Sequence, residues 1–197
     1  MAVILVANKS GNVGKSTLTN HMLLPRIPDA KIINVESIND SGESTGEKLS
    51  AHEFQKIFDI IFSSEGNVIV DVGSSNIEMF IDTLNLEYEG AINFFDYIII
   101  PIVSDEKQQR DSLSTAQTFT LMGYPKENIK FILNRFNVKR DLKEQYNLFF
   151  NKTKLTESEV SIVREVNLFK SLKEKGMPYS ALAEDDRDLD KLIKECK

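Results

Sequence analysis

Gly11, Gly14, Lys15 and Ser16 fall within residues 9–16, KSGNVGKS, between an apolar run and a helical pattern. Glycines let a backbone come close to an anion and turn several N–H groups toward it, and a helix beginning near Lys15 adds the positive end of its dipole to the same cavity. The chemistry implied is phosphate binding. Lys15 would reach the β- and γ-phosphates of a nucleotide, and the Ser16 hydroxyl is placed to coordinate a Mg²⁺ bridging them. The expected binding set is Ser10, Gly11, Asn12, Val13, Gly14, Lys15, Ser16 and Thr17. A Gly-Lys-Ser triplet that merely starts a helix is the plain alternative, and the agreement of strand, loop and helix around the motif argues against it.

Such a loop needs a strand before it and a helix after it. Residues 2–7 (AVILVA) form a continuous apolar, β-branched run suited to a strand buried on both faces of a parallel sheet. Residues 17–24 carry the helical pattern, closed by Pro25. Further strands are predicted over 31–35, 67–72, 97–103 and 129–133, and helices over 51–62, 108–122 and 139–150. The 51–62 helix places Phe54, Ile57, Phe58, Ile61 and Phe62 at helical spacing. Residues 39–46 (NDSGESTG) read as a mobile surface loop suited to a switch. In the tail, a short strand near 161–166 and helices near 168–175 and 180–195 are expected, with Gly176 and Pro178 between the helices. The pattern predicts an α/β fold: a doubly wound, mostly parallel sheet with helices on both faces, in one domain spanning 1–197.

The glycine usually found six positions before the lysine is replaced by Lys9, while Gly11 is retained four positions before it. This loop resembles the deviant phosphate loop of the ParA and MinD family of ATPases, and the run SGNVGKS is most similar to the StbB-like plasmid stability and conjugation branch. The resemblance covers about the first two thirds of the chain and implies a P-loop NTPase fold. Family members carry a signature lysine five positions before the second lysine, which contacts phosphates across a nucleotide-sandwich dimer. Ser10 holds that position here, Lys9 is the nearest lysine, and Asn12 stands in place of the second glycine of the pair.

The same resemblance assigns further roles. The family's Asp-x-Asp at the end of the second strand corresponds to Asn34, Val35 and Glu36, so Glu36 inherits the orientation of the attacking water. Positioning of this kind is what phosphoryl transfer depends on. Asp71 follows the apolar residues 68–70 at a strand's carboxyl end, where open α/β sheets place ligands, and resembles the Walker B aspartate that holds Mg²⁺ opposite Ser16. Residues 73–76 would be a second nucleotide-sensing loop. Asn134, at the end of IKFIL, is similar to the Asn-Arg step that contacts adenine, and Pro178 would line the base from the other side. Asn137 stands where GTPases carry a guanine-reading aspartate, which favours ATP over GTP. The plain alternatives are a surface glutamate at 36, a turn-capping aspartate at 71 and a strand-ending asparagine at 134.

Composition bounds what remains. With 24 basic and 30 acidic residues the net charge is -6, so the chain as a whole is no electrostatic footprint for nucleic acid. Residues 126–154 differ: Lys126, Lys130, Arg135, Lys139, Arg140, Lys143, Lys152 and Lys154 face Glu127, Asp141 and Glu144, a local balance of 8 - 3 = +5. Such a run could meet DNA phosphates without reading sequence, or be only a solvated face. A single cysteine, Cys196, and two separated histidines, His21 and His52, exclude a disulfide framework and a zinc site of the usual kind. No apolar run is long enough to span a membrane, and the acidic tail would repel anionic lipid, so a cytoplasmic protein without a membrane partner is expected.

The function implied is a Mg²⁺-dependent, slow, partner-stimulated ATPase switch in plasmid or chromosome partition or positioning. An ATP-dependent homodimer and a DNA-binding partner protein are the expected partners. The alternatives are a nucleotide-gated adaptor that scarcely turns ATP over and, ranked last for want of an acceptor pocket or lid, a small-molecule kinase or ligase.

Overall fold

The computed structural model describes residues 1–36 and 46–165. Seven strands, β1 (Val3–Val6), β2 (Lys31–Val35), β3 (Glu47–Leu49), β4 (Val68–Val72), β5 (Tyr97–Ile102), β6 (Ile129–Phe136) and β7 (Ser161–Arg164), form one sheet in the order β3-β2-β4-β1-β5-β6-β7. Every neighbouring pair is parallel. Parallel neighbours need crossovers, and here the crossovers carry the helices. They are α1 (Lys15–Leu18), α2 (Phe54–Ser63), α3 (Ile77–Leu86), α4 (Glu106–Leu121), α5 (Leu142–Gln145) and α6 (Asn147–Thr153). The α/β fold expected from the alternation of strands and helices is the fold observed.

Alternation along the central strands divides the core. Val3, Leu5 and Ala7 of the β1 segment, with Val68 and Val70 of β4, pack under Phe54, Ile57 and Phe58 of α2, Phe80 and Leu84 of α3 and Phe119 of α4. Ile4, Val6 and Ile69 point to the opposite face and meet Leu18 and Leu23. A third cluster, centred on Tyr146 and Phe149, seats α5 and α6 over Ile102 and Leu133. Strands buried on both faces explain why β1, β5 and the Val68, Ile69 and Val70 stretch of β4 read as apolar runs rather than as alternating ones.

Several local expectations are modified. The first helix starts at Lys15, passes into a π-helical stretch over Thr19–Leu23 and ends in a 3-10 turn, Leu24–Arg26, that contains Pro25. Proline fits a first helical turn, where its missing N–H is not needed, so Pro25 opens the terminal turn instead of closing the helix. The single helix expected over 139–150 is two, α5 and α6, separated at Tyr146 (φ -117°, ψ 34°). Strand β6 runs three residues past Leu133, to Phe136. The tail strand is present as β7, whereas the helices expected near 168–175 and 180–195, Pro178, and all but Gly46 of the 39–46 loop lie outside the described residues.

Candidate functional site

The strand order reverses at the β1/β5 boundary: the chain leaves β1 toward β2 on one side and leaves β5 toward β6 on the other. Open α/β sheets bind ligands at such a switch point, outside the strands' carboxyl ends. Residues 8–14 lie there. Asn8, fully buried, ties the loop down: its Nδ2 donates to the Pro101 carbonyl and to Ser112 Oγ, each at 2.7 Å, and its Oδ1 accepts from the Ser10 N–H at 2.8 Å. Asn12 adopts φ 58° and Gly14 φ 90°. Both lie in the left-handed region, which asparagine enters more readily than other residues bearing a Cβ. That preference accounts for an asparagine at position 12. Gly14 admits no side chain, because a Cβ there would lie 2.3 Å from Asn134 Nδ2. The helix that Gly14 opens has no side-chain cap, which leaves first-turn amides available to an anion.

Lys15 is buried, and its Nζ donates to the carbonyls of Asn8 and Ser10 at 3.4 Å each. Burial pushes its ammonium below the ordinary lysine value, an effect opposed by the carboxylates of Asp71 and Glu36. Asp71 closes the pairing of β4 with β1, opposite Val6, and stands opposite Asn34 of β2 on its other side. Burial raises its carboxyl to about 6, and Lys15 and the hydroxyls of Ser16 and Thr19 work against that rise. Neither hydroxyl closes a hydrogen bond of good geometry, and both Asp71 oxygens are buried without a partner. Orphaned buried carboxylate oxygens are costly unless another group completes them. A hard divalent cation that takes oxygen ligands fits this pair of atoms, with the exposed Ser16 hydroxyl beside them.

The remaining expected residues fall into three places. Glu36 follows β2, where its N–H donates to the Leu49 carbonyl at 3.0 Å, and it lies within the field of Lys15 and Asp71. The 73–76 loop is beside the phosphate loop: a Cβ at Gly11 would stand 3.4 Å from Ser74 Oγ, and one at Gly73 would stand 3.7 Å from Glu36 Cγ. Asn134 is buried behind Gly14, its Nδ2 donating to the Val13 carbonyl at 2.8 Å and its Oδ1 accepting from the Arg135 N–H at 3.0 Å. Lys9 is turned away from this group, its Nζ donating to Thr118 Oγ1 on α4 at 3.2 Å. The structure thus brings Lys15, Ser16, Asp71 and Glu36 together and holds Lys9 apart. Pro178 lies outside the described residues.

The basic run is divided. Lys126 and Lys130 flank the start of β6, while Arg135 lies at its far end and Lys139, Arg140 and Lys143 follow it, on the side of the site. Lys130 and Arg135, the nearest members of the two groups along β6, are five strand residues apart, roughly 17 Å. Sequence reasoning missed Asn8 and the inner face of α4, although Gln108, Ser112 and Thr115 recur at helical spacing, a polar stripe on a helix that packs on the sheet.

No family model matches the chain, and no curated protein matches it in sequence. Solved structures match its fold. A plasmid partition protein from Borrelia burgdorferi B31 bound to AMPPNP superposes with a TM-score of 0.59 at 16% identity, over 99% of this chain and 95% of that one. Another plasmid partition protein from Borrelia burgdorferi gives 0.51 at 14%, over 88% and 93%. An ATP complex of an aspartate-to-alanine variant of Cyanothece McdA gives 0.55 at 13%, over 100% and 95%. At these identities the likeness establishes a common architecture: the chain shares the all-parallel, seven-stranded α/β fold of these structures.

Proposed function

We propose that this chain is a Mg²⁺-dependent ATP-binding and ATP-hydrolysing switch of ParA type, acting in plasmid or chromosome partition or positioning. The observation that carries the reading is the buried Lys15 beside an Asp71 whose two oxygens have no partner, beneath a glycine-containing loop at the sheet's switch point. Two of the structural neighbours hold AMPPNP or ATP, and two are plasmid partition proteins. Resemblance to the StbB-like branch rests on residues 10–16 alone. The single-domain reading of 1–197 accompanies the proposal.

In this reading the loop amides and the Lys15 ammonium bind the β- and γ-phosphates, Lys15 exchanging its two long carbonyl contacts for phosphate oxygens. Ser16 and Asp71 would hold Mg²⁺, which when bound neutralises phosphate charge. Glu36 accepts a hydrogen bond from water and aligns it for in-line attack. Asn134 keeps one amide hydrogen beyond its Val13 contact, and Pro178 is assigned to the base. Nucleotide state then governs homodimer formation and contact with a partner protein or DNA, the latter through residues 126–154. Phosphate release measured with ATP and Mg²⁺, with and without DNA, tests the reading. Turnover that disappears in Lys15→Ala supports it, and absence of both ATP binding and turnover overturns it.

One observation favours a second reading, a nucleotide-gated adaptor with little turnover. Ser10 occupies the signature-lysine position, and the Lys9 amine is engaged on α4. Tight ATP binding with no phosphate release, even with DNA present, would select it.

A further inference from the structure

Helix α4 holds the phosphate loop along one face. Gln108 Nε2 donates to the Gly11 carbonyl at 2.8 Å. One turn on, Ser112 Oγ accepts from Asn8 Nδ2 at 2.7 Å. Thr115 Oγ1 accepts from the Lys9 N–H at 3.1 Å, and Thr118 Oγ1 accepts from Lys9 Nζ at 3.2 Å. Residues 108, 112, 115 and 118 share one side of a helix, so the contacts form a row and not a scatter. Three of the four loop residues from Asn8 to Gly11 are anchored to this row.

Gln108 differs from its companions. Ser112 and Thr115 are buried, whereas Gln108 is half-buried at the rim, and its bond fixes the peptide between Gly11 and Asn12. That peptide has unusual freedom, because Gly11 has no Cβ and Asn12 sits at φ 58°. With its carbonyl held by Gln108, the trans peptide's N–H, on Asn12, must point the opposite way, away from Gln108. We infer that Gln108 is a positioning residue: by holding the Gly11 carbonyl it keeps the loop amides preorganised for polyphosphate. The inference rests on the nucleotide reading for its ligand but not for its effect on the loop.

Two variants of nearly equal length test it, Gln108→Met, which removes the donor, and Gln108→Glu, which offers only acceptors. Amide hydrogen exchange over residues 10–14 of the full chain without nucleotide is expected to quicken in both, with melting temperature and exchange in the rest of α4 unchanged. ATP affinity, measured by calorimetry with Mg²⁺, is expected to fall about 3- to 10-fold, the loss associated with one hydrogen bond. Unchanged loop exchange overturns the inference. So does a general rise in exchange with a lowered melting temperature, which would mark an ordinary packing contact. If the unaltered protein binds no ATP the function proposed above fails, and the exchange measurement still decides the role of Gln108.

Discussion

Asp71 is the residue at which stability and chemistry oppose one another. Its two oxygens are buried without hydrogen bonds, and its carboxyl is raised from 3.8 to about 6 by burial. A raised acid value means that ionisation is harder in the folded chain than in the unfolded one. The penalty is therefore absent below about pH 4, grows as pH rises toward 6 and is full above it. About two pKa units correspond to roughly 3 kcal/mol. Asp71→Asn should accordingly stabilise the nucleotide-free protein at pH 7 by about 2 to 3 kcal/mol in urea unfolding, and should flatten the fall in stability between pH 4 and 6. The same variant should lose any response of nucleotide binding to Mg²⁺. A destabilised variant with normal Mg²⁺ response would contradict both halves. Gly14 gives a second prediction of opposite sign. Alanine there must accept a φ of 90° and a contact of 2.3 Å to Asn134 Nδ2. Gly14→Ala should destabilise the fold by about 2 kcal/mol or more and abolish ATP binding, as read by denaturation and calorimetry.

At the scale of elements, the site depends on how β6 ends. Arg135 adopts φ 62° at a register irregularity between Asn134 and Phe136, and this bend accompanies the turn of the Asn134 side chain toward Val13. The break between α5 and α6 falls at Tyr146, whose hydroxyl donates to the Asn134 carbonyl at 2.8 Å while its ring fills the third core cluster. Burial raises that phenol well above its ordinary value, so it remains a neutral donor. Tyr146→Phe keeps the ring and orphans a buried carbonyl, and it should cost about 1 to 2 kcal/mol of stability with a smaller loss of ATP affinity. Unfolding curves and nucleotide titration check this, and an unchanged stability would mean that water replaces the hydroxyl. The helical period over 139–150 already turns Leu142, Tyr146 and Phe149 inward, as the structure has them, but it does not reveal that Gln145 turns to bond the 137–141 loop or that the Tyr146 hydroxyl reaches β6. The phosphate loop was legible because a strand, a glycine pattern and a helix coincide there. Helix α3 was legible and passed over: Ile77, Phe80, Ile81 and Leu84 have the helical period and all are buried. Strand β3, with three residues, is too short to display any period.

For the whole molecule, a ligand that binds only the folded chain must raise its stability, and the amount follows from mass action. At a nucleotide concentration a hundred times its dissociation constant, the gain is about 2.7 kcal/mol. In a chain of 197 residues each kcal/mol moves the melting temperature by roughly 2 to 4 °C, so ATP with Mg²⁺ should raise it by about 5 to 10 °C. The parts of that shift are separable because the groups that produce them are. Lys15→Ala removes the buried cation that the proposed function assigns to the phosphates and should abolish the whole shift. Asp71→Asn should leave a smaller shift with the same value in EDTA as in Mg²⁺, since the loop amides and Lys15 remain while the carboxylate charge and one of its two oxygens are gone. Scanning calorimetry of the three proteins with ATP, in Mg²⁺ and in EDTA, reads all of these at once. A shift in Lys15→Ala equal to that of the unaltered chain would place the ligand elsewhere than at the β1/β5 switch point. The proposed dimer adds a further dependence: if ATP joins two copies, the ATP-bound melting temperature rises with protein concentration and the ligand-free value does not. Sedimentation velocity under the same two conditions distinguishes a dimer from a monomer that merely tightens around its nucleotide.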